Sequence, residues 1–271
     1  MKKKRLIPVL LLRNGWIVQS KDFQRYKNLG NPQSIVERLS EWASDELIYL
    51  DISRTEGHDM RREDLAHPNR QTFLEIIKDV ARVCFMPITV GGRIRSLKDI
   101  EQRLAGGADK VAINTQALSD PNFIAAAARE FGSQCIVTSI DVKIVNGHYK
   151  VMSAGGSTPT EYTPDVWAHT AEEHGAGEIL LNSIDRDGAR TGYDLALLRL
   201  VCTAVSVPVI GCGGVGEWSH LAEALEQTQV DAVAVANVLH FVDQSIFLAK
   251  KYLYDRGCNV RPPDLLAITS P

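Results

Sequence analysis

Four aspartates stand where an apolar run gives way to polar sequence: Asp51 in YLDIS, Asp141 in SIDVK, and Asp185 and Asp187 in LLNSIDRDGARTGYD. A carboxylate at such a junction, its pKa adjusted by partial burial, suits general acid or base work. Aspartate also orders loop backbones in turns, and that plainer task stays open for Asp51 and Asp185. Asp141 and Asp187 are the stronger candidates for proton transfer. Glycine offers a second kind of chemistry. PVIGCGGVGEW carries Gly211, Gly213, Gly214 and Gly216 between a short β-branched run and a helical segment, and PITVGGRIRSL carries Gly91 and Gly92 in the same setting. Such strand exits leave backbone N–H groups open to an anion, and the dipole of the following helix favours negative charge there. Both stretches are candidate phosphate cradles, with a simple strand-to-helix turn as the alternative.

The two cradles belong to a repeat. Gly91-Gly92 fall on Gly213-Gly214 at an offset of 122, and Thr115 falls on Asn237 at the same offset. Each copy runs strand, glycine pair, helix, Ala-Asp or Val-Asp, strand, polar residue. A period near half the chain length describes two similar halves, since a solenoid repeats far more often.

The elements that must position these residues alternate along the whole chain. β-Branched runs predict strands at Leu6–Leu12, Leu47–Ile52, Ile88–Val90, Lys110–Ile113, Ile136–Asp141, Glu178–Leu181, Val207–Ile210 and Ala232–Val235, with helical patterns between them. Eight such units predict a single α/β domain, a (β/α)8 barrel with a two-fold half-barrel repeat, over residues 1–256, followed by an extended tail at 257–271. Its chemistry belongs at the C-terminal strand ends. Two segments interrupt the alternation: the charged loop Ser53–Arg70, placed to touch substrate or simply solvated, and Lys143–Gly156, where Asn146-Gly147 marks a hairpin turn.

Composition narrows the function classes. A chain of 271 residues, 45% hydrophobic, can bury a large core, and a net charge of −3 gives no general attraction to nucleic acid or anionic membrane. The start, MKKKRLIPVLLL, imitates a signal peptide, but Pro8 breaks the apolar run and no small-residue cleavage site follows, so it reads as the first strand. No later apolar run approaches the roughly 20 residues that span a bilayer. Five cysteines, odd in number and without a Cys-x-x-Cys pair, read mostly as buried thiols of a reducing cytoplasm. The seven histidines show no ligand spacing, so neither a metal nor another cofactor is expected. No Cys–His arrangement offers an activated thiol nucleophile.

The runs LIYLDI, ITVGGRI, GGADKVAINT, FGSQCIVTSIDVK, HGAGEILLNSIDRDGARTGYD and CGGVG resemble the cyclase subunit of imidazole glycerol phosphate synthase, the histidine-pathway barrel that works with a glutaminase. The similarity runs from Arg5 to about Arg261. It implies ammonia released by a class I glutaminase partner and carried through the barrel of a heterodimer. It also implies a pair of catalytic aspartates at the ends of strands 1 and 5. The second is Asp141; at the first position stands Leu11, which is also the half-barrel counterpart of Asp141 at an offset of 130. Leucine cannot transfer a proton, and losing a positioned acid or base costs roughly 10²–10⁴ in rate.

At the other end of the strands, Arg5, Glu46, Lys110 and Glu178 match the family's salt-bridged ammonia gate, with ordinary ion pairs on the barrel floor as the alternative. Asp109 matches a residue of the glutaminase docking face. Gly92, Asn114 and Thr115 match one phosphate site and Gly213, Gly214 and Asn237 the other. Asn182 and Cys212 stand where threonine and serine are usual, and Asp187 completes the candidate ligand-binding set. A barrel with gate and cradles but one catalytic aspartate resembles a side branch of the family that serves a sugar amidotransferase in building bacterial surface polysaccharide. A genuine cyclase subunit is the second reading. A non-catalytic partner of the glutaminase that binds a phosphorylated small molecule is the third.

Overall fold

The computed structural model describes residues 2–41, 44–53, 58, 70–237 and 245–263. Eight parallel strands close on themselves: β1 (Arg5–Arg13), β2 (Leu47–Asp51), β3 (Ile88–Gly91), β4 (Lys110–Ile113), β5 (Ile136–Val145), β6 (Glu178–Ser183), β7 (Val209–Cys212) and β8 (Ala232–Val235). Each pairs with the next, and β8 pairs with β1, so the barrel has no open edge. Around it lie α1 (Pro32–Glu41), α2 (Phe73–Val83), α3 (Leu97–Ala105), α4 (Asn122–Phe131), α5 (Pro164–Glu173), α6 (Leu195–Ala204), α7 (Trp218–Gln227) and α8 (Ser245–Asp255). The chain is an α/β (β/α)8 barrel, as the alternation predicts. The run read as the first strand is a central barrel strand, with Leu6, Ile7, Leu10 and Leu12 wholly buried.

Strand alternation sorts the side chains into two cores. Ile7, Val9, Ile48, Ala112, Val137, Leu180, Ile210, Ala232 and Ala234 fill the barrel interior. The intervening residues, such as Leu6, Leu10, Tyr49, Val111, Ile140 and Val233, pack outward beneath the helices. The same alternation carries Arg5, Glu46, Lys110 and Glu178 to the interior at the floor, and Leu11, Asp141 and Asn182 to the interior at the mouth.

The outline refines the sequence reading in several places. β7 begins and ends two residues later than its predicted span. A hairpin, Trp16–Lys21 with Arg25–Gly30, follows β1 through Asn14-Gly15, both at positive φ. The predicted hairpin at Asn146-Gly147 pairs β5 with His148–Ser153. Of the cysteines, Cys202 is buried, while Cys84, Cys135, Cys212 and Cys258 are partly buried residues packed against the two cores. The tail is tied to the barrel base by a parallel bridge from Lys4 to Val260, which is buried in the outer core. Residues 264–271, and 54–57 and 59–69 of the charged loop, lie outside the described residues. Among the described residues no helix is long and apolar enough to cross a membrane.

Candidate functional site

The floor of the barrel is a closed ring of alternating charge. Arg5 lies 2.6 Å from Glu46 and 2.5 Å from Glu178, and Lys110 lies 3.2 Å from Glu46 and 2.9 Å from Glu178. Each acid serves both cations and each cation both acids, so the desolvation cost of every charge is offset by two neighbours. Burial alone pulls the Arg5 guanidinium down, but Glu178 and Glu46 outweigh it and hold the group above its ordinary value. Above the ring the bore is lined mainly by alanine and branched aliphatic side chains, with the hydroxyls of Thr89 and Ser139 among them. Such a lining offers a hydrated ion few ligands and no compensating charge, whereas a small neutral molecule loses less by entering it.

At the mouth the two opposite sides of the barrel differ. On one side Asn114 Nδ2 donates to Asp141 Oδ2 at 2.9 Å, and Asn182 Nδ2 donates to Oδ1 at 3.4 Å. Burial pushes the Asp141 carboxyl up to about 6, against the two amide donors that favour its ionised form; the charge of Asp187 adds to the rise. A carboxyl poised there can both take and give a proton near neutral pH. On the other side Leu11, Leu50 and Ala236 border the interior cluster. Pairing registers place Leu11 beside Leu50 and Asp141 beside Asn182, so leucine occupies the half-barrel position of the aspartate in three dimensions as well as in sequence. Cys212 lies nearby, and burial, with repulsion from Asp187 and Asp141, pushes its thiol up to about 12, leaving it protonated and a poor nucleophile.

The accessory hairpin after β1 reaches across to the second half. Its tip turns through Asp22 and Phe23, both at φ 56°, a conformation costing roughly 1–3 kcal/mol per non-glycine residue. Asp187 offsets that cost: its Oδ2 accepts from Ser20 Oγ at 2.8 Å and from the Phe23 N–H at 3.2 Å. Asn237 Nδ2 donates to the Ser20 carbonyl at 2.7 Å. Two residues of the predicted ligand-binding set thus hold the hairpin down. Nothing in the spacing of Ser20, Asp187 and Asn237 announces that contact.

The glycine loops keep the predicted form with a corrected register. Gly92 and Gly213 are equivalent, at φ 110° and 98°, each one residue beyond the end of its strand. Gly214 (φ 102°) then falls on Arg93 (φ 50°), so the offset here is 121, against 122 between β4 and β8, because α7 is one residue longer than α3. A Cβ on Gly92 would come within 2.2 Å of the Asp51 carbonyl oxygen, and one on Gly214 within 2.1 Å of the Gly192 carbonyl oxygen. Backbone packing therefore demands both glycines, whatever they bind. The carboxylate of Asp99, in the first turn of α3, accepts from the N–H groups of Arg95 and Ser96 just ahead of the helix. Asn114 and Thr115 open a short helical turn without a side-chain cap.

The chain matches the family described as histidine biosynthesis protein over residues 5–245. It belongs to that family. Membership fits the cyclase-like barrel suggested by the sequence motifs.

Within this barrel the structure also places the remaining candidates. Asp51 and Asp185 take the plainer task. Asp51 points outward, accepts from the Ser53 N–H at 2.9 Å and pairs with Arg93 at 3.1 Å, while Asp185 accepts from the Ile144 N–H at 2.7 Å. Asp109, exposed on the floor, accepts from the Ile88 N–H at 2.8 Å, and its half-barrel twin Asp231 accepts from the Val209 N–H at 3.2 Å. Both cap the first peptide of a neighbouring strand. Sequence reasoning missed Arg103, buried on α3, whose Nη2 donates to the Gly92 carbonyl and Nη1 to the Asp99 carbonyl, each at 2.8 Å. An arginine four residues after an aspartate looks like a surface helical pair, and only the fold turns it inward. Among the described residues no group of three His, Cys, Asp or Glu side chains is placed to share a metal ion.

Proposed function

We propose that this chain is the barrel subunit of a glutamine-dependent amidotransferase. A class I glutaminase docks at the floor, and the ammonia it releases passes the charged ring, crosses the apolar bore and leaves at the mouth for amidation of a sugar in bacterial surface polysaccharide. The observation that carries the reading is the pairing of an intact ring with a one-sided mouth: Arg5, Glu46, Lys110 and Glu178 form a closed circuit, while Leu11 stands at the half-barrel position equivalent to Asp141. Gly92, Asn114, Thr115, Asn182, Gly213, Gly214 and Asn237 would hold a phosphorylated ligand or the phosphate of the acceptor. The sugar amidotransferase would be a separate protein.

Replacing Glu178 with leucine tests conduction. The variant leaves Arg5 and Lys110 sharing one acid and is expected to lose about 3 kcal/mol of stability, as broken buried pairs do. With the glutaminase bound and glutamine supplied, it should release ammonia to solvent instead of delivering it at the mouth. Unchanged delivery would remove the ring from the pathway.

A second reading, a genuine cyclase making imidazole glycerol phosphate, is favoured by Asp141, whose pKa of about 6 suits acid–base work. It requires another group to replace the acid that Leu11 lacks.

A further inference from the structure

We propose that Phe85 is the apolar anchor on which the glutaminase subunit docks, an inference that rests on the conduction reading above. Phe85 is 89% exposed, far more than any other large hydrophobic side chain among the described residues. It lies in the connection from α2 to β3, which places it at the floor. The Pro87 carbonyl, two residues on, accepts from the N–H of Leu47, the neighbour of ring residue Glu46. The next N–H, of Ile88, is held by the exposed carboxylate of Asp109, beside ring residue Lys110. Phe85 therefore lies in the floor loop whose next residues bond the neighbours of ring residues Glu46 and Lys110, Asp109 among them.

The other exposed hydrophobics sharpen the placement. Ile144 is on the β5 hairpin and Val166 in the first turn of α5, both toward the mouth, while Leu200 and Leu248 lie along helix flanks. The second exposed aromatic, Tyr254, sits at the C-terminal end of α8, again at the floor. Single exposed aliphatics are ordinary on a soluble surface. Aromatic anchors are what interfaces select, because they bury large rigid area and exclude water from the contacts around them. A subunit delivering ammonia must exclude water around the ring entrance, and an apolar pocket over Phe85 with a basic side chain facing Asp109 meets that need.

Calorimetric titration of the full chain with a class I glutaminase subunit from the same genome tests the assignment. Phe85→Ala is expected to weaken binding roughly thirtyfold, as central aromatic anchors do, with an unchanged thermal midpoint. Phe85→Trp should keep the affinity, and Ile144→Ser at the mouth should leave it unaltered. At saturating glutaminase, Phe85→Ala should deliver ammonia as the unmodified chain does. Unmodified affinity in Phe85→Ala, or an equal loss in Ile144→Ser, would overturn the anchor and leave the conduction reading standing. If the unmodified chain binds no glutaminase, the conduction reading falls and the anchor with it.

Discussion

The two half-barrels share a backbone and divide their chemistry. Where the repeat is structural it persists: Asp109 and Asp231 cap equivalent strands, and Gly92 and Gly213 turn the chain at equivalent strand exits. At the mouth of the bore it breaks. Asp141, Asn182 and Asn114 form a hydrogen-bonded polar trio on one side of the mouth, and Leu11, Leu50 and Ala236 stand at the equivalent positions on the other. At the floor Glu46 and Glu178 are twins, but Lys110 answers to Ala232. Backbone hydrogen bonding tolerates no alternative at the caps, whereas bore-facing positions are free to diverge with the work done there.

The comparison can be tested by making the two sides alike. Leu11→Asp supplies the missing carboxylate and, if the mouth still accepts the ribulosyl precursor, should raise imidazole formation by roughly 10²–10⁴, the worth of a positioned acid or base. A rate unchanged in a quenched-flow product assay would mean that the polar half alone limits the chemistry, or that the pocket no longer admits that substrate.

Asp141→Asn works in the opposite direction. Because the folded carboxyl titrates near 6, above its ordinary value of 3.8, the native state holds this proton more tightly. Stability from this group is therefore present at low pH and is lost as pH rises from about 4 through 6. The amide variant should gain about 1–3 kcal/mol relative to the unmodified chain at pH 8 and nothing at pH 3.5, read from denaturant unfolding at the two pH values. A gain equal at both would place the strain elsewhere than in ionisation.

The smallest effects belong where the halves agree. Asp109→Ala and Asp231→Ala should each cost about 1 kcal/mol, the worth of one buried-end hydrogen bond, with the two losses alike. A much larger loss of glutaminase binding in Asp109→Ala alone would give that residue a docking role beyond its cap.

The fold was largely legible because periodicity and punctuation agree along most of the chain. The ring was legible too, because the family resemblance picks out four charged residues that each sit at the polar edge of an apolar strand. Asn14-Gly15 carried the same hairpin signal as Asn146-Gly147, yet the strands it joins were not read from sequence, because Arg25–Gly30 is polar and has no clean alternation. Asp51 could have been placed by counting in twos from Glu46, which puts 48 and 50 inside and 51 outside. The hairpin clamp at Asp187 and Asn237 was beyond reach, because it joins residues more than 160 positions apart through a fold that must exist first.

One experiment bears most directly on the claim that this barrel conducts ammonia to an acceptor other than an imidazole precursor. The chain, a class I glutaminase, glutamine and the ribulosyl precursor of imidazole glycerol phosphate are mixed, and glutamate and imidazole product are followed together. Stimulated glutamate release without imidazole product is the predicted result. Imidazole formed in step with glutamate would contradict it and make Leu11 compatible with cyclisation.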